Sequence, residues 1–195
     1  MAVVWFRLVI TGGDHHRLHE ELTLAGGFLR FERFTREPRV TVLRRLVREA
    51  RPLDSTENDG LLAALAERFH RFESSLVAAM EARSRDRLKY LGNTLERRKE
   101  MEIQDVRSTF EELRRAIEEE LREHRGPVQL ELWPEEEKRQ YRRDLEGLRR
   151  RLERIPKEKE REVETVARRY ADTRVHTFPA CLVFLVPESM VGGSP

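Results

Sequence analysis

A long repeat of apolar residues at helical spacing constrains this chain more than any other sequence feature. No proline occurs between Pro52 and Pro127, so a helix can run over residues 57–125, with a possible kink at Gly92 and Asn93. Steps of three and four residues are typical of one apolar helix face and predict a coiled-coil helix. The apolar positions are Leu62, Leu65, Phe69, Phe72, Leu76, Met80, Leu88, Leu91, Leu95, Ile103, Val106, Phe110, Leu113, Ile117 and Leu121.

A second, shorter helix is predicted over residues 135–171. Gly126-Pro127 ends the first helix, and Pro134 followed by three glutamates is typical of a helix start. Pro156 falls inside the pattern, where we expect it to kink or break the helix. The apolar stripe consists of Tyr141, Leu145, Leu148, Leu152, Ile155, Val163, Val166 and Tyr170.

The two helices are predicted to pair as an antiparallel hairpin. The second helix has about half the length of the first at 1.5 Å per residue. An antiparallel return then places Tyr170 near Leu91.

The remaining segments predict a small sheet. Val3 to Ile10 is almost continuously apolar, which favours a strand buried on both faces, and residues 180–186 form a similar run. Between them we expect a helix over residues 14–25, capped by Asp14 and ended by a glycine pair, and a strand over residues 28–34. A further helix follows over residues 40–50.

The predicted fold class is α+β and predominantly helical. A small mixed sheet forms a base from which the long antiparallel coiled-coil hairpin projects. The expected segments are the N-terminal part of the base (1–56), the long helix (57–125), the hairpin-tip loop (126–134), the returning helix (135–171), the C-terminal strand (172–188) and a flexible tail (189–195).

The composition limits the kind of protein and its compartment. Charged residues make up 38% of the chain, and 33 of its 38 basic residues are arginine, yet the net charge is only +2. A single cysteine excludes a disulfide scaffold and a cysteine-based zinc site, and it favours a reducing compartment. No apolar run has the length of a membrane span, so we expect a cytoplasmic protein without a membrane partner.

Three stretches of the chain carry a family resemblance. They are residues 14–27, Ile155-Pro156 before a glutamate-rich helix, and Arg169-Tyr170-Ala171-Asp172 leading into residues 178–187. Together they resemble the C-terminal region of bacterial SNF2-like helicases, in particular the SNF2-like helicase of DISARM anti-phage defence systems. The resemblance covers about residues 5–188.

The resemblance implies a role beside an ATPase core that moves on duplex DNA. The expected partners are an SNF2 ATPase core or another subunit of the defence system, and duplex DNA. The chain has no Gly-x-x-x-x-Gly-Lys-Ser/Thr sequence and no Asp-Glu-x-His sequence. We therefore expect no catalytic activity and no cofactor for this chain alone.

The candidate nucleic-acid contacts are four arginines of the second helix: Arg143, Arg150, Arg151 and Arg154. Arg143, Arg150 and Arg154 have a spacing that places them on one helix face. Acidic residues are interleaved with them, so the alternative interpretation is an ordinary solvated helix face.

The hairpin-tip loop contains a candidate docking peptide formed by Gln129, Leu130, Leu132 and Trp133. This pattern resembles the short peptides with which bacterial DNA-processing proteins bind the replication sliding clamp. The alternative is that these side chains close the end of the coiled-coil core.

A histidine cluster is the third candidate. On the predicted helix over residues 14–25, His15 and His19 share a face and could bind a metal, with His16 beside them. The alternative is a capped helix with polar surface residues.

Three functions follow from these candidates. The first is an accessory module of an SNF2-type DNA helicase or translocase in anti-phage defence, contacting DNA or the ATPase core. The second is a coiled-coil interaction protein that does not bind DNA. The third is a small metal-dependent enzyme that uses His15, His16 and His19.

Overall fold

The computed structural model describes residues 1–53, 59–124 and 133–191. Helix accounts for 64% of it, and one sheet contains all four strands, which confirms an α+β, predominantly helical fold. The chain divides into two compact units. We call residues 1–92 with 173–195 the sheet unit, and residues 93–172 the hairpin unit.

The sheet has the strand order β3-β2-β1-β4 and is antiparallel at every described pairing. The prediction of a mixed sheet was therefore wrong, while the pairing of the first and last strands in one sheet is confirmed. Short turns join β1 to β2 and β2 to β3, and such turns produce antiparallel neighbours. The strands are β1 (Ala2–Thr11), β2 (Arg17–Arg30), β3 (Arg33–Arg36) and β4 (Arg174–Phe184).

The central strand β1 is buried on both faces, as its apolar sequence predicts. Val3 and Val4 point to opposite faces because successive strand residues alternate. On one face, Val3 packs with Leu43 of α1 (Val40–Glu49). On the other face, Val4 lines a groove with Met80 of α2 (Asp59–Glu123).

Residues 14–25 form a turn and most of β2, so the predicted helix was wrong. The Asp14 carboxylate does not cap a helix but accepts a hydrogen bond from the His16 amide at 2.9 Å, within the β1–β2 turn. The glycine pair does not end a helix either. A Cβ at Gly26 would lie 2.4 Å from the Ala2 carbonyl oxygen, and one at Gly27 would lie 2.3 Å from that of Thr35. Glycine is required here because neighbouring backbone approaches closely.

The strand predicted over residues 28–34 is two strands with a turn between them. The end of β2 pairs with β3, and Arg30 opposite Arg33 is the last pair. Phe31 and Glu32 therefore form a two-residue loop.

The hairpin unit contains the second part of α2 and all of α3 (Glu135–Tyr170). Both helices begin and end within two residues of their predicted bounds. Pro156 lies inside α3, and the helix continues through it. A break at this proline, one of the two expected effects, does not occur. Ile117 of α2 and Ile155 of α3 are buried in this unit.

The register of the helix pair differs from the prediction. The Tyr170 hydroxyl donates a hydrogen bond to the Glu102 carboxylate at 2.5 Å, about three helical turns from the expected neighbour Leu91. At the other end, the Tyr141 hydroxyl donates to the His124 carbonyl at 3.2 Å. The first turns of α3 precede this contact. Helix α3 therefore returns along α2 over a shorter distance than its full length.

The predicted tail is partly described. Glu188–Met190 form a 3₁₀ turn, and residues 192–195 lie outside the described residues.

Truncation of the buried isoleucines tests the hairpin. Ile117 is 5% exposed and Ile155 is 2% exposed, so replacement of either by alanine leaves a cavity. We expect each change to lower the free energy of unfolding by about 2–4 kcal/mol, measured by urea denaturation. Met101→Ala, at a 60% exposed position of the same unit, is the control and should cost far less. Equal costs at all three positions would contradict the packing.

Candidate nucleic-acid interface

Helix α3 has one side that packs and one side that faces solvent. Ile155 and Val166 are buried, and Lys159 on the same side forms an ion pair with Glu111 of α2 at 2.9 Å. The opposite side carries no apolar residue that needs a partner. The side chains on that side of α3 are therefore not needed for packing of the hairpin.

Five exposed arginines lie in line on the solvent side of α3. At 100° per residue, their spacing of 7, 4, 7 and 7 residues keeps all five within about 20° of one line along the helix. The line is about 38 Å long at 1.5 Å per residue. We call this set the arginine strip; it consists of Arg143, Arg150, Arg154, Arg161 and Arg168.

The residues closest to the line add no negative charge. Gly147, Lys157 and Thr165 lie within about 40° of the line, and no acidic residue between Arg143 and Arg168 does. Glu146, Glu158 and Glu164 lie about 60° from the line, and Glu146 forms an ion pair with Arg150. The strip is therefore positive along its centre and has acidic residues at its edges.

Continuity of α3 through Pro156 is what keeps the strip in line. The packing side runs in steps of three and four residues on both sides of the proline, at Leu148, Leu152, Ile155, Lys159, Val163, Val166 and Tyr170. The opposite side must keep the same phase. Arg161 and Arg168 therefore extend the line that begins at Arg143.

Three of the four arginines proposed from the sequence belong to the strip. Arg143, Arg150 and Arg154 lie on the line, and Arg150 forms an ion pair with Glu146. Arg151 lies about 80° from the line, where it forms an ion pair with Glu158 at 2.7 Å.

Arg161 and Arg168 were missed in the sequence analysis. The i+7 spacing that relates Arg143 to Arg150 also relates Arg154 to Arg161 and Arg161 to Arg168. That spacing is the signal that finds both residues.

Most arginines of the strip are available to an external anion. Among the described residues, none forms an ion pair with Arg143, Arg154, Arg161 or Arg168. By contrast, Arg169 faces α2 and binds Glu102 at 3.0 Å. The helix thus separates arginines that hold the hairpin together from arginines that face solvent.

Tyr170 and Glu102 fix the C-terminal end of α3. Burial raises the pKa of the Tyr170 hydroxyl, and the hydrogen bond to the negatively charged Glu102 carboxylate raises it further, to about 12. The proton therefore stays on the hydroxyl, which donates it to the carboxylate. This contact fixes the rotation of α3 about its own axis at the end of the helix that contains Arg168.

The docking peptide proposed at the hairpin tip is described only at its end. Gln129, Leu130 and Leu132 lie outside the described residues. Trp133 is partly exposed, and its ring meets that of Tyr141 edge-on at 5.7 Å. Docking on a sliding clamp stays a prediction.

The histidines proposed as metal ligands lie on a turn and a strand. His15 and His16 belong to the β1–β2 turn, and His19 lies in β2, so no helix face brings His15 and His19 together. No group of three or more His, Cys, Asp or Glu suited to a metal occurs within residues 1–53, 59–124 and 133–191.

His19 instead belongs to an ion-pair network in the sheet unit. Its Nε2 lies 3.3 Å from the Glu21 carboxylate, which also binds Arg87 of α2 through two hydrogen bonds of 2.6 and 2.5 Å. Burial alone would raise the pKa of the Glu21 carboxyl, but hydrogen bonds from Arg87 and His19 outweigh it and lower that pKa. This network ties β2 to α2.

Comparison of the chain with protein-family models, curated proteins and solved structures found no match. Among the described helices, none combines the length and apolarity that crossing a membrane requires.

Alkaline titration tests the Tyr170 contact. The hydroxyl keeps its proton to about pH 12 in the folded chain, whereas a free tyrosine loses it near pH 10.0. Between these values the unfolded state binds fewer protons, so the free energy of unfolding should fall as the pH rises. Urea denaturation across this range measures the decrease.

The variant Tyr170→Phe removes this titration and should show a smaller decrease. Tyr90→Phe is the control, because Tyr90 is 73% exposed. If Tyr170→Phe and the parent chain lose stability equally between pH 10 and pH 12, the contact contributes nothing to folding.

Proposed function

We propose that this chain is an accessory nucleic-acid-binding module of an SNF2-type DNA helicase or translocase in anti-phage defence. The arginine strip of α3 binds the phosphate backbone of duplex DNA. The observation that carries this proposal is the uninterrupted positive line from Arg143 to Arg168.

Arginine suits phosphate chemically. Its planar guanidinium donates two parallel hydrogen bonds to phosphate oxygens and cannot lose its charge at physiological pH. Contacts to phosphate position a protein on the duplex but read no base sequence. Binding through the strip should therefore be independent of sequence, which suits a protein that moves along DNA.

The size of the strip sets the expected affinity. About three or four phosphates can be neutralised at one time, because a straight helix leaves a curved duplex at its ends. Each neutralised phosphate releases counterions, so the logarithm of affinity should fall with a slope of about −3 to −4 against the logarithm of salt concentration. Dissociation constants of about micromolar or weaker at physiological salt are expected for such contacts.

The helicase part of the proposal depends on the resemblance described above. A module that holds the duplex without reading its sequence would keep an ATPase core on DNA between cycles of ATP hydrolysis. The partner is then an SNF2 ATPase core, or another subunit of the same defence system.

Charge reversal within the strip tests DNA binding. Arg154→Glu with Arg161→Glu changes two arginines that have no ion pair among the described residues. We expect about a tenfold or greater loss of affinity for every duplex sequence and a shallower salt slope. Fluorescence anisotropy of a labelled duplex over a salt series measures both.

The matched control is Arg142→Glu with Arg149→Glu. These exposed arginines lie on the same helix but about 100–120° away from the strip, so the net charge changes equally. Equal losses in both double variants would show a general charge effect. No loss in the strip variant would remove DNA from the proposal and favour a coiled-coil interaction protein.

ATPase measurements test the accessory role. The chain alone should not hydrolyse ATP, with or without DNA, because it lacks a phosphate-binding loop. Added to an SNF2 ATPase from the same defence system, it should increase DNA-dependent hydrolysis, and the strip variant should do so less. An ATPase rate unchanged by the parent chain would contradict the accessory role.

A further inference from the structure

The loop between β2 and β3 presents an aromatic ring to solvent. Phe31 is 95% exposed, more than any other large apolar side chain in the part of the chain that the structure describes. The last pair of β2 with β1 joins Gly27 to Ala2, so residues 28–30 extend beyond the central strand and pair only with β3. Phe31 therefore occupies the end of a hairpin that the central strand does not cover.

The backbone at Phe31 is unfavourable for phenylalanine. Its φ is 51°, in the left-handed region that side chains rarely adopt. Two-residue hairpin loops need a positive φ at this first position and usually have glycine, asparagine or aspartate there. Burial cannot compensate the conformational cost, because the ring is exposed. An exposed aromatic residue held at such a cost indicates a contact outside the fold.

The segment of the chain that contains Phe31 is strongly positive. Residues 28–51 contain eight arginines and three glutamates, a net charge of +5, although the whole chain carries only +2. Arg36 binds Asp86 at 2.7 Å, and Arg39 binds Glu37 at 2.9 Å, so these two are partnered. Arg30 and Arg33 flank the loop, are exposed, and form no ion pair with any described residue.

Helix α1 lies beside the hairpin and also carries exposed arginines. Residues 28–30 of the hairpin line one groove together with Leu46, Glu49 and Ala50 of α1. The C-terminal turns of α1 therefore lie alongside the hairpin. On α1, Arg45 and Arg48 are exposed and lie opposite the side that packs on the sheet. We call Arg30, Phe31 and Arg33 the basic hairpin surface.

We infer that the basic hairpin surface binds single-stranded or unpaired nucleic acid, with the Phe31 ring stacked on a base and the arginines on the flanking phosphates. Stacking on an aromatic ring needs a base that is free of its pair, and it tolerates any sequence. The surface belongs to the sheet unit and shares with the proposed function only its class of ligand. The arginine strip binds duplex backbone, whereas this surface recognises an exposed base.

The chemistry of the loop favours a base over a lipid bilayer. One ring projects, and the neighbouring loop residue Glu32 is also exposed. Insertion of Phe31 into acyl chains would carry the Glu32 carboxylate towards the apolar region at high cost. A base needs only one face of the ring and leaves Glu32 in water.

Substitutions at Phe31 test the inference through binding and stability together. Phe31→Asn places a residue suited to positive φ in the loop and removes the ring. In the full chain, it should raise the melting temperature and lower affinity for a labelled oligothymidine about 5- to 100-fold. Phe31→Trp keeps an aromatic ring and should retain affinity. A lower melting temperature in Phe31→Asn, or unchanged affinity, would overturn the inference.

Tyr90 provides the matched control for an exposed aromatic ring. It also lies beside an arginine, because the Arg87 guanidinium is 5.2 Å from its ring centre, and it is 73% exposed. Tyr90→Ala should leave the affinity for oligothymidine unchanged. A loss equal to that of Phe31→Asn would overturn a specific role for Phe31.

Vesicle binding distinguishes a nucleic acid from a membrane as the ligand of this surface. The full chain and Phe31→Asn are compared on vesicles of phosphatidylcholine and phosphatidylserine. We expect no vesicle binding that depends on Phe31. Binding that does depend on Phe31, without a loss on oligothymidine, would overturn the inference and assign the surface to membranes.

The duplex variants keep the two proposals distinguishable. Arg154→Glu with Arg161→Glu should weaken duplex binding, whereas Phe31→Asn should weaken oligothymidine binding more than duplex binding. If only the Phe31 effect is seen, this inference stands and the proposed role of the strip fails. If only the strip effect is seen, the proposed role of the strip stands and this inference fails.

Discussion

The packing of α3 against the second part of α2 determines which arginines can meet a ligand. Ile155 and Val166 are buried, and Lys159 binds Glu111 on the same side. Because this side of α3 packs against α2, the residues on the opposite side must face water. Five arginines within about 38 Å repel one another, but neighbours are about 6–10 Å apart and screened by solvent. The fold therefore tolerates the line of charge, and this line attracts a polyanion strongly.

Close backbone approach is the second constraint, and it acts in the sheet unit. Gly26 and Gly27 let β2 lie against β1 on one side and β3 on the other, at distances that no side chain would permit. Strand β2 then continues beyond the central strand and turns at Phe31. The strand pairing that forms this hairpin thus places an exposed ring beside arginines.

The two arginine surfaces differ in what they can recognise. The strip has charge alone, which suits the regular backbone of a duplex. The basic hairpin surface adds an aromatic ring, which suits a base without its partner. Under the two proposals, each unit of this chain has a surface for one form of the nucleic acid, the duplex or the unpaired strand.

The sequence by itself determined the long helices, the burial of β1 and the α+β class, because these depend on local apolar periodicity. It was wrong for residues 14–25, where leucines at helical spacing also fit a strand and only pairing with β1 decides between them. Pro156 was expected to kink or break the second helix, and α3 continues through it without a break. The spacing of seven residues that places Arg161 and Arg168 on the strip is present in the sequence itself. The exposure of Phe31 was instead decided by the tertiary structure, since strand pairing fixes which residues form the turn.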